Sequence, residues 1–322
     1  MQAIVYREYG DPRDVFHIED VPTPVPGDGQ ILVRVRAAAS NPLDCFVPGT
    51  PYVARIAMGI RRPKPTTPGV DVAGVVEAVG PNATRFRPGD EVFGSARGAF
   101  AEFVCGKESG FTRKPTTITF EQAAAIPVAG LTALQALRDK GRLAAGQRVL
   151  ITGAGGGVGS FAVQIAKALG AHVTAVCGPS SAEVVRSIGA DRVIDYTQAD
   201  FTRERDAMDL LVDCAGRAPL GATRRVVKSL GNCVVVGMSQ RPIMGPIPRL
   251  LRLLALRAVP GPRLVFFIAK VDVADLDLLA GMVVSGKVTP VIGRVVPLAE
   301  AGEAVAHILE GHARGKAVVT MR

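Results

Sequence analysis

One stretch decides the fold of this 322-residue chain: Arg148-Val149-Leu150-Ile151-Thr152-Gly153-Ala154-Gly155-Gly156-Gly157-Val158-Gly159. It begins as a short apolar run with branched side chains, which is typical of a buried strand, and then becomes a glycine-rich turn. From Ser160 to Leu169 the apolar residues recur with a helical period, and Gly170 suits the left-handed conformation that ends a helix. The next predicted strand runs from Val173 to Val176. This order of strand, turn, helix and strand predicts a βαβ unit.

The glycine turn predicts a site for the pyrophosphate of a dinucleotide. Glycine lets the backbone bend tightly and approach a phosphate with no side chain in between, and the following helix offers free N–H groups and the positive end of its dipole. The three glycine positions of the six-residue fingerprint are filled by Ala154, Gly156 and Gly159, so the first is alanine. The flanking strand and helix supply the context that this short motif needs. We therefore expect Ala154, Gly156, Gly157, Val158 and Gly159 to bind the cofactor.

The end of the second strand bears on which dinucleotide is bound. NAD-selective domains usually have an acidic residue about 20 residues beyond the motif, bonded to the ribose 2′-hydroxyl. Here that position is Cys177, so no carboxylate is present to repel a 2′-phosphate. Ser180 matches the first residue of a capping box and is predicted to cap the next helix, although its hydroxyl could also bind the phosphate. We expect Ser181 and Tyr196 to carry more of the phosphate recognition, and we predict NADPH as the cofactor although this segment contains no Lys or Arg.

Composition and charge exclude several classes of protein. Hydrophobic residues make up 48% of the chain and charged residues 21%, which fits a globular protein with a substantial core, and the length favours two domains. The net charge of +9 is dispersed, so no nucleic-acid partner is expected. Arginines between Arg249 and Arg263 interrupt any run long enough to span a bilayer, so no membrane insertion is expected. The five cysteines have no paired spacing and the N-terminus no signal-peptide pattern, which favours a reduced cytoplasmic protein.

The distribution of strand and helix signals predicts an α/β protein with a divided first domain. Gln30 to Arg36 alternates apolar and polar residues, as does a half-buried strand, and residues 1–125 are rich in such runs. Residues 126–286 alternate strands with helices, which predicts a doubly wound parallel sheet of the Rossmann type. Residues 287–322 are predicted to return to the first domain, with a strand at 288–292 and a helix at 298–309.

Two loops at strand ends are expected to line the cofactor. Predicted strands run from Met208 to Val212 and from Asn232 to Val236, with a helix between them from Ala218 to Leu230. Ligands of open parallel sheets bind beyond the carboxyl ends of the strands. This rule points to Cys214 in the first loop and to Gly237-Met238 in the second.

Several phrases along the chain resemble one known family. They are Asn41-Pro42-Leu43-Asp44, Pro68 to Val76, Arg87 to Gly94, Gly98 to Glu102, Gly130 to Ala133, the glycine turn, and Gly311 to Lys316. Together they resemble the zinc-independent quinone oxidoreductase branch of the medium-chain dehydrogenase/reductase superfamily, close to NADP-dependent alcohol-dehydrogenase-like proteins. The resemblance implies a β-rich GroES-like catalytic domain joined to a Rossmann domain, NADPH between the two, and a homodimer.

No metal is expected in the site. Zinc-dependent members of the superfamily carry a Gly-His-Glu motif, which would fall at Gly69-Val70-Asp71, where neither the His nor the Glu is present, and no four-cysteine lobe follows. Cys45 has no His near it in the sequence, so we interpret it as a small buried side chain.

Without a metal, either hydrogen bonds polarise the substrate carbonyl or the substrate needs little polarisation. Quinones and α,β-unsaturated carbonyls meet the second condition, because hydride added at carbon places negative charge on a conjugated oxygen. The resemblance places Asn41 near the nicotinamide and its ribose, Thr132 near the cofactor, and Tyr52 near the substrate, where it could donate a proton. Asn41 could instead be a turn residue and Tyr52 an exposed aromatic. Lys316 could face the site, but we favour a surface ion pair.

The leading hypothesis is an NADPH-dependent, metal-independent oxidoreductase that transfers hydride to a quinone or an α,β-unsaturated carbonyl. A zinc-free alcohol or aldehyde oxidoreductase is one alternative, and an enoyl-thioester reductase is another, for which Arg55 to Lys64 is the basic rim that the carrier's phosphates would need. A different class is an NADPH-binding sensor or RNA-binding protein with little turnover, which the dispersed charge disfavours.

Overall fold

The computed structural model describes residues 1–42, 44, 62–63, 66–236, 247–311 and 314–321. The chain divides into two compact units. Unit 1 comprises Met1–Leu131, Val271–Ser285 and Pro290–Arg322, and unit 2 comprises Thr132–Lys270 and Gly286–Thr289. No helix in the described ranges is both long and apolar enough to cross a membrane.

The described elements follow the chain in this order. The strands are β1 (Gln2–Val5), β2 (His17–Asp20), β3 (Gln30–Ala39), β4 (Asp71–Val79), β5 (Glu91–Ser95), β6 (Phe103–Lys107), β7 (Phe111–Arg113), β8 (Arg148–Thr152), β9 (His172–Cys177), β10 (Arg192–Asp195), β11 (Met208–Asp213), β12 (Val227–Val235), β13 (Arg263–Phe266), β14 (Ile292–Pro297) and β15 (Lys316–Thr320). The helices are α1 (Pro12–Val15), α2 (Phe120–Ala124), α3 (Pro127–Gln135), α4 (Gly157–Ala168), α5 (Ala182–Ser187), α6 (Leu220–Val226), α7 (Ile247–Arg257), α8 (Val273–Val284) and α9 (Ala301–Leu309). Short 3-10 turns lie at Glu108–Gly110, Pro179–Ser181, Phe201–Arg203 and Leu298–Glu300, and a π-helical turn lies at Ala136–Lys140.

The described strands of unit 2 form a parallel sheet in the order β10-β9-β8-β11-β12-β13. Thr152 at the end of β8 pairs with Val176 in β9 and with Asp213 in β11, so these carboxyl ends lie at one edge. Val149 to Ile151 are fully buried without alternation, as expected of strands covered on both faces. The sheet confirms the predicted Rossmann-type fold, and the loops that follow β8, β9 and β11 start from the same edge.

Helix α4 packs closely against the glycine turn. It buries Phe161 and Ile165 and ends before Gly170, whose φ of +80° confirms the left-handed residue predicted there. A Cβ atom on Gly159 would overlap the Gly153 carbonyl oxygen and lie 2.7 Å from the Cα of Ala154. Only glycine at this position therefore allows the helix to begin so close to the turn.

Unit 1 is built on a sheet with the described order β14-β15-β3-β4-β5-β7, in which β6 also pairs with β3. The long strand β3 is the centre of this sheet, because it pairs antiparallel with β4, β6 and β15. The core includes the fully buried rings of Phe93, Phe100 and Phe111. The register of β15, with Val318 opposite Ala39, brings the C-terminal strand beside the end of β3.

Two segments differ from the sequence prediction. The helix expected from Ala218 to Leu230 is only α6, because Val227 already pairs with Met208 as the first residue of β12. The prediction of a strand at 288–292 was wrong. The Gln164 side chain accepts a hydrogen bond from Thr289 N at 2.7 Å and donates one to Thr289 O at 3.0 Å, which holds this segment in unit 2, and β14 begins only at Ile292.

Replacing Gly159 with alanine should destabilise the protein. The backbone, rather than the end of a flexible side chain, has to move to admit the new methyl group, and overpacking of this kind lowers the free energy of unfolding by about 1–3 kcal/mol. Chemical denaturation measures this. Gly281→Ala in α8 is the matched control, because a Cβ there has no neighbour within 4 Å, and it should be neutral or stabilising. Equal stability of the two variants would contradict the packing.

Candidate functional site

The N-terminus of α4 has no side-chain cap. Helix α2 is capped by the Thr119 side chain and α8 by the Asp272 side chain, whereas the N-cap of α4 is Gly156, which has no side chain to do so. The first N–H groups of a helix have no intrahelical partners and attract anions. The turn and helix start are therefore suited to bind an anion. Binding of a dinucleotide pyrophosphate by Ala154 and residues 156–159 stays a prediction.

The side chains of Ser181 and Tyr196 pack against glycine backbone, Ser181 at Gly155 and Tyr196 at Gly178. A Cβ on Gly155 would lie 2.5 Å from Ser181 Oγ, so the Ser181 side chain packs against the glycine backbone. A Cβ on Gly178 would lie 3.2 Å from the Tyr196 phenol oxygen. Tyr196 is 52% exposed, so its hydroxyl is accessible to a ligand, whereas Ser181 is buried. The structure thus brings Ser181 and Tyr196 to the end of β9, where Cys177 lies.

The Cys177 thiol occupies the position at which NAD-selective domains have an acid. Burial raises its pKa, and the nearby Asp195 carboxylate raises it further, so the thiol is neutral at physiological pH. A neutral thiol neither accepts the strong hydrogen bond that a carboxylate would form with a ribose 2′-hydroxyl nor repels a phosphate.

The predicted cap at Ser180 was wrong. Residues Pro179–Ser181 form a 3-10 turn, because Pro179 favours the first position of a helical turn, and α5 starts only after it. Ser181 is the N-cap residue of α5, and its side chain makes no capping hydrogen bond. Ser180 is exposed on this turn.

The loop after β11 is fixed by a buried carboxylate that sequence reasoning missed. Asp213 accepts hydrogen bonds from Thr152 Oγ1 at 2.6 Å and from Gly216 N at 3.0 Å, and it forms an ion pair with Arg249. Thr152 Oγ1 in turn accepts a hydrogen bond from Ala215 N at 3.2 Å. These bonds tie the loop that contains Cys214 to the end of β8.

The Cys214 thiol is not activated as a nucleophile in this setting. Burial raises its pKa, and the Asp213 charge adds to the effect, so the thiol stays protonated. The sequence signal for this network was a polar residue at the end of each of two apolar strands, Thr152 in β8 and Asp213 in β11. The structure pairs these two residues. A polar pair at the carboxyl edge of an otherwise apolar sheet needs partners there.

Unit 1 contains a buried ion pair between Lys316 and Asp71, whose side chains are 4% and 0% exposed. The Lys316 ammonium group donates to Asp71 Oδ2 at 3.1 Å, Asn41 Oδ1 at 2.6 Å and Ser40 O at 3.0 Å, which uses all three of its hydrogens. The prediction of a surface ion pair for Lys316 was therefore wrong. The antiparallel pairing of β15 with β3 places Lys316 beside the end of β3 rather than at the surface.

Asn41 is held by this ion pair. Its amide group donates to Asp71 Oδ2 at 2.9 Å and to Ala39 O at 3.2 Å, and its backbone N–H donates to Asp44 Oδ2 at 2.7 Å. The remaining oxygen of Asp71 accepts a hydrogen bond from Val128 N at 2.9 Å. The position of Asn41 at the end of β3 is thus fixed from several directions, and its contact with a nicotinamide stays a prediction.

The other predicted site residues lie in different places. Thr132 is half-buried in α3. Tyr52, Gly237 and Met238 lie outside the described residues, as does Cys45. Within the described part of the chain, no group of three or more His, Cys, Asp or Glu side chains is arranged to hold a metal ion.

Asp44 is a second buried carboxyl group in unit 1. It accepts hydrogen bonds from Asn41 N and, at 3.0 Å, from Gly69 N. Burial raises the pKa of Asp44 to about 7, and the Asp71 charge adds to the rise, although the two backbone donors oppose it. Asp44 therefore titrates within the physiological range in the folded protein.

Replacing Lys316 with methionine should destabilise the protein strongly, because it leaves the Asp71 charge buried without a counter-ion. Removal of one partner of a buried pair lowers the free energy of unfolding by about 3–5 kcal/mol. The double variant Lys316→Met with Asp71→Asn removes both charges and should recover part of this loss. Urea denaturation measures both. The surface pair Arg7–Glu19 offers the control, since Arg7→Met should change stability little. A loss no larger than that of the control would contradict the buried pair.

The pKa of Asp44 predicts a pH dependence of stability. A carboxyl group whose pKa rises on folding binds more protons in the folded state, so stability falls as pH rises from about 4, the unfolded pKa, to about 7. Wild type should therefore lose stability relative to Asp44→Asn across this range and run parallel to it above the range. Urea midpoints at several pH values test this, with Asp14→Asn at an exposed position as control. A difference that does not vary with pH would refute the assignment.

Comparison with known proteins agrees with this architecture. Residues 27–136 match the alcohol dehydrogenase GroES-like domain, and residues 188–319 match the zinc-binding dehydrogenase domain. The chloroplast envelope quinone oxidoreductase homolog of Arabidopsis thaliana is 32% identical, covering 99% of this chain and 98% of that protein.

Solved structures give the same result. The quinone oxidoreductase from Coxiella burnetii superimposes with a TM-score of 0.88 at 29% identity, covering 100% of this chain and 99% of that one. Mycobacterial Rv1454c complexed with NADPH superimposes with a TM-score of 0.83 at 28% identity, covering 100% of both chains. The GroES-like domain and the Rossmann-type sheet are both confirmed. The chain belongs to the quinone oxidoreductase family of the medium-chain dehydrogenase/reductase superfamily.

Proposed function

We propose that this oxidoreductase uses NADPH, needs no metal, and transfers hydride to a quinone or an α,β-unsaturated carbonyl. The observation that carries the proposal is the set of groups beside the glycine turn. A neutral thiol at Cys177 replaces the acid of NAD-selective domains, and the hydroxyls of Ser181 and Tyr196 lie next to it. This set suits a ribose with a 2′-phosphate better than one with a free 2′-hydroxyl. A structural relative, mycobacterial Rv1454c, is complexed with NADPH.

The residues at the zinc position of the superfamily do not fit a metal. Asp71 is the carboxylate at that position, but it is paired with Lys316 and accepts further hydrogen bonds from Asn41 and Val128. A cation bound to Asp71 would have to displace the Lys316 ammonium group and disrupt the end of β3. The engagement of Asp71 by Lys316, Asn41 and Val128 supports metal-independent chemistry, although residues 188–319 match a domain family described as zinc-binding dehydrogenase.

The proposed roles of this chain's residues follow from their positions. When bound, NADPH supplies a hydride from its nicotinamide ring. The backbone of residues 156–159 holds the pyrophosphate, and Ser181 and Tyr196 hold the adenosine end. Asn41, fixed by Lys316, is proposed to contact the nicotinamide. We propose that Thr132, Cys214 and the Gly237-Met238 loop line the cofactor.

The acceptor follows from the lack of a Lewis acid. Hydride addition to a quinone or an enone leaves negative charge on a conjugated oxygen, which requires only hydrogen bonds or a proton for stabilisation. Tyr52 or solvent is proposed to supply that proton. A cytoplasmic homodimer remains the proposed state of the protein.

Steady-state kinetics test this proposal directly. The purified protein, treated with a chelator, is assayed with NADPH or NADH against a panel of quinones, enones, aldehydes and alcohols. We expect turnover of quinones or enones, no loss on chelation, and a kcat/KM for NADPH at least about 10-fold above that for NADH, which is the effect of one charged hydrogen bond to the 2′-phosphate. Failure to reduce any such acceptor would refute the substrate class, and activity restored by zinc after chelation would refute metal independence.

A further inference from the structure

Arg186 lies on α5, one helical turn beyond the segment that follows β9. Val185 faces the interior and is fully buried, whereas its neighbour Arg186 is exposed. Residues four apart on a helix share a face, and helical side chains lean towards the N-terminus of the helix. Arg186 therefore shares a face of α5 with Ala182, the residue that follows Ser181.

The edge of the sheet near α5 carries a negative charge that a phosphate would meet. Asp195 at the end of β10 pairs in register with Cys177 at the end of β9. The Asp195 carboxylate accepts hydrogen bonds from the Thr197 backbone at 2.9 Å and hydroxyl at 2.8 Å but has no cationic partner in the described part of the chain. A 2′-phosphate brought to Ser181 and Tyr196 would be repelled by this carboxylate unless a cation offset it.

Arg186 lies close enough to Cys177 for its charge to act on the thiol. The pKa of Cys177 is raised mainly by burial and by Asp195, and Arg186 opposes the rise, so both charges act on the same thiol. No carboxylate among the described residues forms an ion pair with Arg186, which leaves its guanidinium group available. Guanidinium groups bind phosphate oxygens in a bidentate manner.

We infer that Arg186 binds the 2′-phosphate of NADPH, together with the hydroxyls of Ser181 and Tyr196, and thereby sets the cofactor preference. The inference rests on the proposed use of NADPH. It supplies the cation that residues 178–181 lack, from the same face of α5 as Ala182. Arg186 is thus proposed as a specificity-determining residue rather than a participant in hydride transfer.

Direct binding measurements on the full chain test this inference without turnover. Dissociation constants for NADPH, NADH, adenosine 2′,5′-bisphosphate and AMP are measured by calorimetry for wild type and Arg186→Gln. Loss of a charged hydrogen bond should weaken NADPH and the bisphosphate on the order of 10-fold or more. Affinities for NADH and AMP should stay the same. Arg148→Gln, at the amino end of β8, makes the same charge change and should alter none of the four.

Each other outcome has a defined meaning. Equal weakening of NADPH and NADH by Arg186→Gln would show a structural role and overturn the inference. Unchanged NADPH affinity in Arg186→Gln, with wild type still preferring NADPH, would overturn the role of Arg186 and leave the proposed cofactor intact. A wild type that binds NADH as tightly as NADPH would overturn both. Recovery of the preference in Arg186→Lys would support the inference, because a cation is restored.

Discussion

The ion pair between Lys316 and Asp71 holds the end of the central strand of unit 1 in place. Burying two opposite charges is unfavourable unless each finds enough partners, because both lose their hydration. Here the ammonium group donates three hydrogen bonds, one of them to Asp71 Oδ2. Asp71 Oδ2 also accepts from the Asn41 amide and Asp71 Oδ1 accepts from Val128 N, so both charged groups are well supplied with partners. The pair joins the start of β4, the start of β15, the end of β3 and the first turn of α3. A change at any of these elements therefore reaches Asn41.

Unit 2 solves the same problem with a different carboxylate. Asp213 ends β11 and takes hydrogen bonds from Thr152 in the neighbouring strand and from its own loop, and Arg249 of α7 balances its charge. In both units a buried acid at the terminus of one strand holds a residue at the end of a neighbouring strand, Asn41 after β3 and Thr152 in β8, and a cation distant in sequence neutralises the acid. Rigid loop positions of this kind suit a cofactor that has to be presented at a constant angle.

Much of this architecture could be predicted from local pattern, and the rest could not. The glycine turn, the parallel strands and the gathering of Ser181 and Tyr196 follow from short-range periodicity and from the rule that parallel strands end at one edge. The partnership of Lys316 with Asp71 spans 245 residues and leaves no local signal, so the lysine was expected at the surface. The prediction of a cap at Ser180 was wrong because the capping-box pattern does not include the effect of Pro179, which starts a 3-10 turn one residue earlier. Tyr52, Gly237 and Met238 fall outside the described residues, so their roles rest on resemblance.

The late position of Lys316 in the chain has a consequence for how the protein forms during translation. Nearly all of unit 2 has been synthesised once Lys270 is made, whereas the sheet of unit 1 still lacks β14 and β15. Until β15 emerges, the segment of β3 from Ala37 to Ala39 lacks its partner strand and Asp71 has no counter-ion. We therefore expect unit 2 to fold first. During that time the incomplete sheet of unit 1 exposes unpaired backbone groups, which makes the nascent unit 1 prone to aggregation.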